Sequence, residues 1–235
     1  MKSNGYGPPP TSLLGVRFVL VDDQTEVAAA LAASLAHYAQ MVCAGVFADG
    51  QRALDHLKRR RVDLVLLDLL MPAMPGVEFL RRLKKQAGAA VPPVLVLTCD
   101  DSERSVAEAL GWGADGFLVK GTGIEALTRA MADIREGGAV LSPHLTRRLV
   151  RRAYDTPPPG LTQDEQLTPR EQNMLDYMSR GLSYTEIAQH EGISAETVRT
   201  HSRRIFRKLG VHSRSAAVAL RWREAQAEEN TRPGV

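Results

Sequence analysis

Cysteine is scarce in this sequence, long apolar runs are missing, and neither sign of charge dominates. There are two cysteines in 235 residues, which argues against a scaffold stapled by disulfides. No apolar run approaches the ~20 residues needed to span a bilayer, and the N-terminus lacks a positively charged segment followed by an apolar signal core. The expectation is a cytoplasmic protein with no membrane partner. Cys43 and Cys99 both sit in apolar, strand-like segments, so they are expected as buried thiols in a reducing compartment, with a pairing between them left open. The formal net charge is only +3, so a nucleic-acid partner would have to be held by a local patch. The aliphatic content is that of a globular chain with room for two ordinary domains, which excludes disorder throughout.

Residues 1–13, rich in Gly, Pro and Ser, are expected as a disordered lead. From there apolar strands alternate with helical patterns. Strands are expected at 16–21, 42–47, 63–67, 94–97 and 117–119, and helices at 25–40, 50–61, 77–85, 102–110 and 124–136. In the first helix the apolar spacing runs through Val27, Leu31, Ser34, Leu35 and Tyr38. Five strand–helix units in succession predict an α/β fold, a doubly wound five-stranded parallel sheet with helices on both faces, over residues 14–137. Gly137-Gly138 breaks the last helix. Residues 138–166 read as a linker, with a short basic helix at 143–152 and a proline-stiffened stretch at 156–160. Residues 167–226 show only helical spacing, opened by Thr168-Pro169-Arg170-Glu171, and 227–235 form a polar tail.

The stretch RVDLVLLDLLMPAMPG carries the first candidate site. Its aliphatic run reads as a strand buried on both faces, and it ends at Asp68, after which Pro72 and Pro75 forbid continuation. By itself that carboxylate could simply open a turn. The other strand ends give it company: Asp22 and Asp23, Thr98, and Lys120 all fall where strands meet loops on one edge of such a sheet, the edge on which open α/β sheets build their sites. Three carboxylates at close quarters repel one another unless a cation neutralises them, and an all-oxygen cluster suits Mg²⁺ better than zinc. Such a site could take a phosphoryl group, with Asp68 as carboxylate nucleophile, Thr98 donating a hydrogen bond and Lys120 offsetting charge.

The second site lies in SYTEIAQHEGISAETVRTHSRRIFRKL. Ala188, Gly192 and Val198 fall at the spacings of a helix-turn-helix: a small residue where two helices touch, a glycine for the positive φ of the turn, and an apolar anchor under the second helix. The opposite face carries Arg199, Thr200, Arg203, Arg204, Arg207 and Lys208. It has no stacking aromatics, which disfavours an RNA target.

VLVDD, VLLDLLMPAMPG, VLVLT and GADGFLVKG resemble the receiver domain of bacterial two-component response regulators, and LTPREQNMLDYMSRGLSYTEIAQHEGISAETVRTHSRRIFRKLGVHSR resembles the four-helix DNA-binding domain of the NarL/LuxR group. The resemblance implies strand order 2-1-3-4-5 and Asp68 as phosphoacceptor. It implies Mg²⁺ on Asp23, Asp68 and the main-chain carbonyl of Leu70, with Asp22 acting through water. Thr98 and Lys120 would hold the phosphoryl group, and Phe117 stands at the switch aromatic, expected to turn inward when Thr98 moves. It further implies base contacts from Arg199, Thr200 and Arg203, phosphate contacts from Thr197, Arg204, Arg207 and Lys208, and pairing of two copies through the last helix. The implied protein is a DNA-binding transcription factor and not an enzyme, beyond taking a phosphoryl group onto itself and releasing it. Its partners would be a sensor histidine kinase, an inverted-repeat promoter, a second copy of itself when active, and RNA polymerase.

Two residues depart from the family pattern: Leu70, apolar two residues after the phosphoacceptor, and Cys99, after the switch threonine. They bear on how long the acyl phosphate survives. Tyr184 and Thr185 also replace the commoner Asn and Lys, which puts one backbone contact in question. Two other functions stay open on sequence grounds: a constitutive or phosphorylation-independent DNA-binding regulator with an atypical receiver, and a phosphotransfer or docking module that binds no nucleic acid.

Overall fold

A computed structural model of the protein describes residues 8–86, 91–100, 102–138, 140, 167–211, 214, 216–218 and 220–221. Strands β1 (Arg17–Val21), β2 (Val42–Phe47), β3 (Leu64–Leu67), β4 (Val94–Thr98) and β5 (Gly116–Val119) pair in parallel in the order β2-β1-β3-β4-β5. Helices α1 (Thr25–Ala39), α2 (Gly50–Arg59), α3 (Gly76–Gln86), α4 (Glu103–Gly111) and α5 (Ile124–Arg135) connect them. The central strands are covered on both faces, which is why they read as unbroken aliphatic runs. Alternate residues split between two cores: Val19, Val21, Val65 and Leu67 pack with Leu54, Phe79 and Val106 on one face, while Phe18, Leu20, Leu64 and Leu66 pack with Leu35, Leu127 and Met131 on the other.

The structure corrects three local expectations. The buried face of α1 is Ala28, Ala32, Leu35 and Ala39, and Val27 is exposed. Leu31 and Tyr38 pack, partly buried, against the same core, so of the apolar residues in the expected spacing only Val27 turns out to solvent. Both cysteines are exposed. Cys43 sits on β2, the edge strand, and Cys99 stands just past the end of β4, so an apolar neighbourhood in sequence does not bury either. The expected lead is ordered at its end: Thr11–Leu13 form a 3₁₀ turn, Leu13 is fully buried, and the Ser12 carbonyl accepts a hydrogen bond from Arg135. At the other end of the domain Val140 bridges to Gly116, and its carbonyl accepts from Phe117 N–H at 2.8 Å.

The second domain comprises α6 (Pro169–Ser179), α7 (Tyr184–Glu191) and α8 (Ala195–Lys208), with further helical residues at 214, 216–218 and 220–221. Thr168 with Glu171 and Ser183 with Glu186 form capping boxes on α6 and α7, and Ser194 caps α8. Met174, Leu175, Ile187, Ala188, Val198 and Ile205 make its core. The expected basic helix at 143–152, the linker at 156–160, the tail at 227–235 and Trp222 lie outside the described residues. Among the described residues, no helix is long and apolar enough to cross a membrane.

Candidate functional site: an acidic pocket and a basic helix-turn-helix

At the carboxyl edge of the sheet, Asp22, Asp23 and Asp68 bring one carboxylate oxygen each within 4.8 Å of one another. β1 and β3 are adjacent, so the loops leaving them must meet. Asp22 and Asp68 are buried, and both pair with Lys120, whose Nζ lies 2.7 Å from Asp22 Oδ2 and 2.8 Å from Asp68 Oδ2. Burial works against the lysine charge, but the hydrogen bonds and charges of the two carboxylates outweigh it and carry the Lys120 pKa above the ordinary lysine value. Asp23 Oδ1 is buried with no hydrogen-bond partner. An orphaned carboxylate oxygen beside two more carboxylates fits a hard divalent cation, so these residues are suited to hold Mg²⁺.

Loop backbone fixes the Asp68 carboxylate. Leu70 N–H donates to Asp68 Oδ1 at 3.1 Å, and Gln24 N–H donates to Asp22 Oδ1 at 2.9 Å. Gly76, at the start of α3, is pressed onto this loop: a Cβ there would stand 2.3 Å from the Asp68 carbonyl oxygen and 2.7 Å from Leu69 Cα. Thr98 is fully buried, and its Oγ1 accepts from Asp100 N–H at 3.3 Å. Phe117 is also fully buried, so its ring already points inward. Leu70 is exposed at the mouth of the site.

In the second domain Gly192 ends α7 in the left-handed conformation at φ 65°, Ala188 is buried between helices and Val198 is fully buried under α8. This is the packing that the spacing predicts. The polar face of α8 is only partly free. Thr197 takes part in the Ser194 cap, and Thr200 Oγ1 donates to the Glu196 carbonyl at 3.1 Å. Arg204 and Arg207 are exposed, and Arg203 is half-buried. Lys208, expected on a phosphate, is instead ion-paired with the buried Glu171 at 2.8 Å, because the last turn of α8 packs over the start of α6. Arg199 is engaged twice, by Glu196 at 2.6 Å and by the main-chain carbonyl of Arg135 at 2.5 Å.

That last bond belongs to a contact between the domains that the sequence did not disclose. The end of α5 offers three successive carbonyls. Arg135 accepts from Arg199, Glu136 from Tyr184 N–H at 2.8 Å, and Gly137 from Arg214 at 2.5 Å. The Tyr184 ring fills the space over Gly137, whose φ of +81° and missing Cβ both matter, since a Cβ there would meet the ring at 2.4 Å. Arg199 and Arg214 lie over the same ring, 5.9 and 5.7 Å from its centroid. Burial raises the Tyr184 pKa, so the ring is a neutral phenol. Arg214, itself buried, also donates to the Met178 and Leu182 carbonyls at 3.0 and 2.6 Å. The sequence hints were slight: a glycine pair read only as a helix break, and a tyrosine where Asn is commoner.

The chain matches the response regulator receiver domain family over residues 18–132 and the luxR family of bacterial regulatory proteins over residues 165–220. It is 35% identical over 174 residues to the nitrate/nitrite response regulator protein NarP of Escherichia coli (strain K12), covering 73% of this chain and 78% of that one. The chain belongs to the NarL/LuxR family of response regulators. The response regulator protein VraR of Staphylococcus aureus (strain COL) is 30% identical over 207 residues, covering 86% of this chain and 94% of its own. Among solved structures, that of two RcsB dimers bound to two parallel DNAs superposes with a TM-score of 0.52 at 21% identity, covering 87% of this chain and 96% of that one, a likeness of fold. This response regulator therefore joins a receiver domain to a LuxR-type DNA-binding domain, and its acidic pocket is one that could bind Mg²⁺.

Proposed function

We propose that this protein is a cytoplasmic transcription factor switched by Mg²⁺-dependent phosphorylation of Asp68. The observation that carries the reading is Asp68 itself, a buried carboxylate at a strand end, beside Asp22 and Asp23 and ion-paired to Lys120. Asp23, Asp68 and the Leu70 carbonyl would hold the ion directly and Asp22 through water. When bound, the ion offsets negative charge on the phosphoryl oxygens. The Asp68 carboxylate attacks phosphorus of a phosphohistidine on a partner kinase, the P–N bond breaks, and an acyl phosphate forms. Lys120 then transfers its ion pair to a phosphoryl oxygen, and Thr98 turns its hydroxyl from Asp100 N–H toward another.

The output is promoter binding by α8, with Arg199, Thr200 and Arg203 at base edges and Thr197, Arg204 and Arg207 at phosphates. In the arrangement seen, Arg199 is held by the receiver, which supports a resting state in which the first domain restrains the second. Phosphorylation releases it, and two released copies bind an inverted repeat more tightly than one. Promoter affinity measured with and without an acyl phosphate donor and Mg²⁺, beside Asp68→Ala, tests the reading. Affinity should rise only for the phosphorylated wild type. DNA binding that ignores both donor and substitution would instead favour a phosphorylation-independent regulator.

A further inference from the structure

On the flank of the receiver, away from the basic helix, the edge strand β2 and helix α2 enclose a cleft of about 810 Å³, within the size range of small-molecule sites. Arg52, His56 and Arg59 line it at i, i+4 and i+7, one face of α2, so the two arginines leave the helix about 10 Å apart along its axis with His56 between them. Arg60 adds a third guanidinium at the same end as Arg59.

The acids of this cleft are engaged along α2, and although the Arg59 charge acts on Asp55, none of the cleft's arginines is in an ion pair with a described residue. Asp49 caps α2 by accepting from Gln51 N–H at 2.8 Å, and Asp55 pairs with Lys58 at 3.0 Å. Among the described residues, Arg52, Arg59 and Arg60 take part in none of the ion pairs. The Phe47 ring lies back across Gly45, where a Cβ would meet it at 2.5 Å, and its centroid is 5.1 Å from the His56 ring. His56 Nε2 is buried there without a hydrogen-bond partner. Its burial, with Arg60 and Arg17 nearby, holds the imidazole pKa below its ordinary value, so at neutral pH it is an uncharged ring with one unused nitrogen.

Guanidiniums free of ion pairs beside an aromatic ring face are complementary to a flat heterocycle carrying several phosphates. We propose that this cleft binds a purine nucleoside polyphosphate, the base stacked on the Phe47 ring with the inclined His56 ring at its edge and the phosphates on Arg59 and Arg60, with Arg52 at the far end. The cleft is joined to the acidic pocket: Phe47 carbonyl accepts from Asp22 N–H at 2.9 Å, and Thr25, on its rim, donates its N–H to the Asp23 carbonyl at 3.0 Å. A ligand seated there would press on the backbone that carries two of the three carboxylates.

The test is calorimetric titration of the full-length protein with ATP, adenosine and inorganic tripolyphosphate, together with photolabelling by 8-azido-ATP. ATP should bind more tightly than either fragment, Arg59→Ala/Arg60→Ala should weaken it at least tenfold, and the label should fall on residues 45–60. Arg129→Ala removes an equally exposed positive charge elsewhere and should change affinity less than twofold. Tripolyphosphate binding as tightly as ATP, equal losses in the Arg129 variant, labelling on α8, or no binding at millimolar nucleotide would each overturn the proposal.

Discussion

Arg199, on the helix that would read DNA, donates a 2.5 Å hydrogen bond to the main-chain carbonyl of Arg135 at the end of α5. A guanidinium held on a helix C-terminus is held by partial negative charge as well as by the hydrogen bond, so under the proposed docking the receiver would compete with DNA for the same group. The competition depends on Gly137, which leaves room for the Tyr184 ring. Gly137→Ala puts a Cβ 2.4 Å from that ring and strains a positive φ, at a cost of about 1 kcal/mol or more to the closed arrangement. The unphosphorylated variant should bind promoter DNA at least fivefold more tightly than the unphosphorylated wild type, as measured by fluorescence anisotropy.

The arginines of α8 should divide by their dependence on salt. Arg204 and Arg207 are exposed and lie toward phosphates in the proposed docking, so replacing either by Ala should weaken all DNA sequences alike and reduce the log–log salt slope by about one. Arg203→Ala should relax preference at one base position, costing about 1–3 kcal/mol against the preferred sequence only. Titrations of specific and scrambled duplexes at several salt concentrations check both.

How much of this was legible in sequence follows from what repeats and what does not. The aliphatic strands and the polar residues at their ends are dictated by a sheet buried on both faces, so Asp22, Asp68 and Lys120 could be placed together from order alone. Gly192 and Val198 were legible because a tight turn and a helix crossing each constrain the residue type. In α1 the spacing found Leu31, Leu35 and Tyr38 but not Ala28, Ala32 and Ala39, because alanines carry little hydrophobic signal. The cysteines were misread because exposure at an edge strand depends on sheet order and not on local composition. The clasp at Gly137, Tyr184 and Arg214 joins groups 47 and 77 residues apart through backbone carbonyls, which no side-chain pattern announces. Lys208 shows the same limit: its pairing with Glu171 exists only once α6 and α8 cross.

Lys120 should set an alkaline limit on receiver stability. Its folded pKa is raised above the ordinary 10.5, so the stability contributed by its two ion pairs is complete below that value and is lost as pH rises through the folded pKa. Thermal melts of the wild type should therefore steepen downward above about pH 10.5. Lys120→Met should lack that component and melt lower at neutral pH, where Asp22 and Asp68 remain as unpaired carboxylates.

Gly76→Ala tests whether the loop after Asp68 needs its close approach. The added methyl would fall 2.3 Å from the Asp68 carbonyl oxygen, which is main chain and has no rotamer by which to yield. Overpacking of this kind costs about 1–3 kcal/mol. The Leu70 carbonyl should move with the loop, so Mg²⁺ affinity, read by isothermal titration calorimetry, should fall along with the phosphorylation rate. Lost stability with unchanged Mg²⁺ affinity would disconnect the loop from the proposed ion site.

Glu171 and Lys208 give the second domain an acid limit. The pair is nearly closed from water, with side-chain exposures of 5% and 14%. Burial pushes the Glu171 pKa up, but the hydrogen bonds from Lys208 and from the Thr168 backbone and hydroxyl outweigh it, leaving the pKa below the ordinary 4.5. A depressed carboxyl pKa contributes stability that is present above the unfolded value and lost as pH falls through the folded one. Hydrogen exchange of α6 and α8 amides in the full chain should therefore accelerate below about pH 4.5. Glu171→Gln should remove the pair's share of that dependence and, by leaving Lys208 buried without its partner, should cost about 3 kcal/mol at neutral pH. Lys208→Met, which removes the lysine charge while keeping an apolar stem, should cost less if Glu171 keeps its Thr168 hydrogen bonds at 2.9 and 3.1 Å. It should also leave DNA affinity nearly unchanged if Lys208 keeps its pairing with Glu171 on DNA, whereas a loss would place it on phosphate.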